Sequence, residues 1–287
     1  MDPILFYLRA SGAALGATAI ALAIAWFVRK RALSGKSEQE PRPRRWGAFA
    51  LGAGVLGGFL ALKGVPTLPC AEDSMRAHDR LFWALLAVGL LGLLPWRRAL
   101  DAAVVLLPVL LVARFHDLGD AGSRTGLELG LLALAGRLLI GAGDGVMRSR
   151  SGPTGALQVG IVLGVVAAAI GASGSVIYAQ WAGTLGIAFG LVTLVAWRDW
   201  DAGQLDGASA LLLAGAFALM ATEYSELDPR NAVLILGALP LSMLATRLWG
   251  ERKQATIVGW LVLLVPMSAA VIRIALAFEG DPYADFP

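Results

Sequence analysis

Long apolar runs alternate along the chain with short polar segments. Ten such runs stand out, at roughly 4–28, 47–65, 80–96, 99–114, 127–143, 155–172, 176–197, 206–223, 231–248 and 255–277. None shows the strict two-residue alternation of a half-buried strand, and most are long enough for the ~17–25 residues that a bilayer-spanning helix needs. They are too long for barrel strands of about 10 residues, and backbone groups in hydrocarbon must bond within their own segment. The pattern predicts an all-α, polytopic transmembrane helix bundle of about ten spans. The third and fourth runs are the shortest, and Pro95 and Pro108 interrupt them. No connection is long enough to build its own core, so residues 1–287 read as a single integral membrane domain.

Charge gives the bundle an orientation. With the N-terminus outside, the connections on the cytoplasmic side hold Arg29, Lys30, Arg31, Lys36, Arg42, Arg44, Arg45, Arg97, Arg98, Arg148, Arg150, Arg198, Arg247, Arg252 and Lys253. The outer connections hold only Arg9, Lys63, Arg76, Arg80, Arg114, Arg124 and Arg230. The asymmetry follows the positive-inside rule. An even number of spans then puts the C-terminus outside as well. Residues 29–46 form the largest loop, basic and proline-containing, suited to anionic headgroups. Trp46, Trp96, Trp197, Trp200 and Trp249 fall at the predicted cytoplasmic ends, Trp83 and Trp181 at the outer ends, as an aromatic belt would have it.

Composition agrees. The chain is 57% hydrophobic and 16% charged, with a mean hydropathy of +0.69, against about 25% charged residues in a soluble domain. The net charge of +3 sits beside the spans, so it points to lipid headgroups and not to nucleic acid. Cys70 is the only cysteine, which excludes an intrachain disulfide and a cysteine metal cluster. Basic residues follow the first apolar run instead of preceding it, so that run reads as a retained span in a cytoplasmic-type (bacterial inner) membrane.

Few residues offer chemistry. The two histidines lie in matching contexts, Arg76-Ala77-His78-Asp79 and Arg114-Phe115-His116-Asp117. The topology sets both at the outer face, entering the third span and leaving the fourth. Two imidazoles and two carboxylates suit acid–base work or a divalent ion, and Arg76 and Arg114 suit a lipid phosphate. The plain alternative is a set of headgroup-level residues at helix ends, with Asp serving as a cap. Arg137 stands near the middle of the fifth span, where a charge is expensive, with Asp144 two turns further along the same face. Glu128, Glu223 and Arg273 sit near outer span ends, and Asp199-Trp200-Asp201 reads as solvated loop acids. Glycine pairs at four-residue spacing, Gly12/Gly16, Gly54/Gly58, Gly126/Gly130, Gly160/Gly164 and Gly186/Gly190, serve either packing within the bundle or a face for another subunit or a second copy.

The opening Met1-Asp2-Pro3-Ile4-Leu5-Phe6, with its apolar span and Arg29-Lys30-Arg31, resembles the start of prolipoprotein diacylglyceryl transferases, and Gly136-Arg137 resembles that family's Gly-Arg pair. The His-Gly-Gly and Gly-Arg-x-Gly-Asn patterns that carry the family's chemistry are missing, so the resemblance implies no activity here. Walker, His-Glu-x-x-His and Gly-x-Ser-x-Gly sequences are missing too. No resident metal or cofactor is expected. The leading expectation is a small-molecule or lipid permease. The alternatives are an enzyme acting on a lipid or envelope substrate at the outer face, with His78, Asp79, His116 and Asp117 as its candidate groups, and a non-catalytic subunit of a membrane complex.

Overall fold

The computed structural model describes residues 3–34, 46–64, 66, 77–92, 102, 123–149, 153–199, 207–249 and 253–277. Among them the chain forms nine helices. These are α1 (Pro3–Ser34), α2 (Trp46–Lys63), α3 (Ala77–Gly92), α4 (Ser123–Ser149), α5 (Pro153–Ala172), α6 (Val176–Asp199), α7 (Gly207–Tyr224), α8 (Pro229–Trp249) and α9 (Lys253–Ala277). Seven are long and apolar enough to cross a membrane: α1 and α4 to α9.

The expected ten spans therefore become about seven. Helix α2 offers only a short apolar stretch, Gly47–Lys63. Helix α3 has 16 residues and opens on His78, Asp79 and Arg80, which leaves too little apolar length. A helix rises about 1.5 Å per residue, so 16 residues fall short of a ~30 Å hydrocarbon core. The expected fourth span, 99–114, lies almost wholly outside the described residues, as do loop 35–45 and residues 278–287.

Local chemistry sets the helix ends. Gly64 follows α2 with φ 79°, the left-handed turn that glycine adopts without a Cβ clash, and its N–H donates to the Leu60 carbonyl at 3.0 Å. Gly174, with φ 85°, turns the chain between α5 and α6. Helix α8 starts at Pro229, whose missing N–H is no loss in a first turn, and Asp228 caps it by accepting from the Arg230 N–H at 2.8 Å.

Helix α7 is the axis of the bundle. It packs against α2, α3, α4, α5, α6 and α8, and 72% of its span is buried. The peripheral spans bury far less, and large side chains such as Leu194, Val233, Leu248 and Val265 face outward. A helix that is apolar on its outward face as well as its inward one fits lipid around the bundle. Lipid is as apolar as leucine, so close packing and buried hydrogen bonds, more than hydrophobic drive, must hold such helices together. Glycine supplies the packing. Gly54 and Gly58 of α2 lie against Thr18, Ala188 and Thr184, and a methyl on Gly57 would stand 2.7 Å from the Ala17 Cβ. Gly54/Gly58 thus packs inside the bundle. Gly12/Gly16, Gly126/Gly130, Gly160/Gly164 and Gly186/Gly190 have open space where a side chain would be.

An aromatic cluster joins α2, α3 and α6. Phe59 stacks on Trp181 at 4.6 Å between ring centroids and meets Phe82 at 5.0 Å. Trp181 is fully buried there, not at a headgroup-facing position as the belt pattern suggested. Its flat apolar area stacks on Phe59 and meets Tyr178 edge-on at 5.5 Å, contacts that the bilayer border would not supply.

Candidate functional site

The expected site residues do not form one constellation. His78 stands in the first turn of α3, while Arg76, Arg114, His116 and Asp117 lie outside the described residues. Asp79, 4% exposed, is withdrawn into the bundle. Arg137 lies on the exposed flank of α4, and Asp144 is half-buried two turns further on. Glu223 is exposed in the last turn of α7. Among the described residues no group of three His, Cys, Asp or Glu side chains could hold a metal ion.

Arg273 has specific partners that the sequence reading did not supply. Its Nη2 donates to Asp228 Oδ2 at 2.9 Å and its Nε to Asn231 Oδ1 at 3.1 Å. The end of α9 is thereby tied to the start of α8. The Arg230 backbone N–H, and then the Arg273 guanidinium, hold the Asp228 carboxyl below the usual carboxylate range. The sequence did carry a signal for this cap, Asp followed by Pro at a helix start.

The most unusual polar group is one that the sequence reading passed over. Gln158 lies in the second turn of α5 and is 0% exposed. Both its Oε1 and its Nε2 are buried and have no hydrogen-bond partner among the described residues. Its place in the bundle follows from glycine contacts. A methyl on Gly155, one turn earlier on the same face, would meet the Val146 carbonyl of α4 at 2.8 Å. One turn back along α4, a methyl on Gly143 would stand 2.5 Å from the Gly207 carbonyl of α7. Helices α4 and α5 run antiparallel, so Gln158 is level with the Gly143–Gly207 contact. Gly145 touches Met243 of α8, which brings Ser242 to the same level. Ser242 is fully buried and its hydroxyl donates to the Gly259 carbonyl of α9 at 2.6 Å. Ser209, also fully buried, is two residues past Gly207. By this register Gln158, Ser209 and Ser242 are buried polar side chains at a similar level of the helices around α7, near the end where α4 stops and α5 starts. Gln158 alone was legible in sequence, as the one amide in the apolar run 155–172.

A bundle of apolar helices around a buried axis, with a polar layer inside and apolar side chains outside, defines a multi-pass membrane protein. No family model, curated protein or solved structure matches the chain.

Proposed function

We propose that the chain is a permease in a cytoplasmic-type membrane, moving a small molecule or a lipid through the bundle. The observation that carries this reading is Gln158, with both amide atoms buried and without a protein partner among the described residues. Leaving a buried donor or acceptor unsatisfied costs roughly 1–3 kcal/mol. Leucine would fill the same space at no such cost, so the amide marks a place where something polar is met. Polar groups inside membrane bundles face substrate paths more readily than lipid. Arg137, the charge expected within a span, lies on the outer flank of α4 and contributes less to this reading.

The test is flux. Purified protein in lipid vesicles should speed the equilibration of potassium, glycerol or a headgroup-labelled phospholipid over protein-free vesicles. Vesicles that match the protein-free controls for all three probes would end the permease reading.

A second reading rests on a separate observation. Eight glycines in four pairs, from Gly12/Gly16 to Gly186/Gly190, lie on open helix faces. Small residues let helices approach closely, so these faces suit a second copy or another membrane subunit. Particle mass in lipid nanodiscs distinguishes the two readings: a single copy without companions argues against the assembly reading. The outer-face enzyme reading draws no support from Asp79, whose carboxylate is turned into the bundle.

A further inference from the structure

We propose that the layer around Gln158 takes a small, uncharged solute that both donates and accepts hydrogen bonds; this rests on the permease reading and names its substrate class. The chemistry of the layer selects for it. The Gln158 amide offers an unmet donor, Nε2, and an unmet acceptor, Oε1, on one neutral group. A hydroxyl or an amide satisfies both at once. An anion leaves Oε1 unmatched and a cation leaves Nε2 unmatched.

The surroundings exclude charge further. Val146, Val159, Val162 and Leu211 are buried on the same converging helices, and the other polar groups of the layer are the hydroxyls of Ser209 and Ser242. Asp144, next to Gly143 on α4, is half-buried and already has an interaction partner of its own. A bare ion entering such largely apolar surroundings gives up its hydration, whereas a neutral solute exchanges only hydrogen bonds.

Size is limited in the same way. Gly143, Gly155 and Gly207 bring backbones into close contact here and both Gln158 amide atoms are sealed, so a solute reaches them only where side chains give way, which limits it to few heavy atoms. The Met147 and Met243 side chains lie against Gly207 and Gly145. Unbranched thioethers re-pack readily, so these two can yield to a small solute without moving a helix.

Glycerol and potassium flux into vesicles, measured on wild type, Gln158→Leu and Gln158→Met, tests the proposal. Wild type should pass glycerol severalfold faster than protein-free vesicles, with no gain for potassium or for a headgroup-labelled phospholipid. Both variants should fall to the protein-free glycerol rate. The two variants differ in shape, so a packing defect in one leaves the other to read the amide. Wild type alone also decides the charge question. Potassium or phospholipid flux without glycerol flux overturns the uncharged-solute assignment and leaves the permease reading standing. Glycerol flux that survives both variants overturns Gln158 as the binding residue. No flux of any probe overturns this proposal together with the permease reading.

Discussion

A methyl on Gly143 would stand 2.5 Å from the carbonyl carbon and oxygen of Gly207, so the backbones of α4 and α7 touch with no side chain between them. That contact fixes α4 against the axis of the bundle. A side chain there must push two helix backbones apart, which is a stiffer demand than moving a side chain.

Gly143→Ala should therefore destabilise the protein by about 1–3 kcal/mol, the usual range for overpacking a tight contact. Gly145→Ala meets Met243, a flexible side chain, and should lose much less. Gly12→Ala and Gly16→Ala have open space around them and should not lower stability. Thermal unfolding of the four variants in one detergent gives the order. A Gly143 variant as stable as the Gly12 variant would contradict the close α4–α7 contact.

The Ser242 hydroxyl donates across to α9, at the Gly259 carbonyl. Ser242→Ala should cost on the order of 0.6 kcal/mol, the average for hydrogen bonds between membrane helices. Ser173→Ala serves as the control, since that hydroxyl bonds the Ile170 carbonyl of its own helix. Hydrogen exchange around Gly259 should rise in the first variant and not in the second.

Phe59 and Trp181 anchor α2 and α6 through stacked rings that are both fully buried. Truncating either to alanine should cost about 3–5 kcal/mol. Trp249→Ala, at a side chain 52% exposed, should change little. Comparable losses from Trp181→Ala and Trp249→Ala would place Trp181 at the headgroups after all.

The Asp228–Arg273 pair responds to acid. The folded-state pKa of Asp228 lies below its ordinary value, so the carboxylate adds stability at any pH above the ordinary carboxylate range of about 3.9. That contribution is lost as pH falls through the folded value. Arg273→Gln should abolish part of this acid sensitivity, because the backbone N–H of Arg230 still holds the carboxylate. Accessibility of a cysteine label near the end of α9, followed from neutral pH downward, reads the release of that helix end. A release at the same pH with and without Arg273 would rule out the pair as its cause.

The sequence by itself determined the class of this protein. Apolar runs such as 155–172, 176–197 and 255–277 are too long and too free of charge for anything but membrane helices, because hydrocarbon leaves backbone groups only internal partners. Gly64, Gly174 and the Asp228-Pro229 pair are local signals too, since those residues act on their own neighbours, but only the structure picked them out. The sequence overcounted the spans where α2 and α3 looked long enough by composition alone. What only the tertiary structure decided was which face of each helix turns inward. All five glycine pairs look alike in sequence, yet Gly54/Gly58 packs and the others lie open. Arg137 drew attention in sequence and lies on a flank; Gln158 drew none and is sealed in the bundle. In lipid, inward and outward faces are equally apolar, so periodicity carries no signal of direction, and the neighbour across the interface decides it.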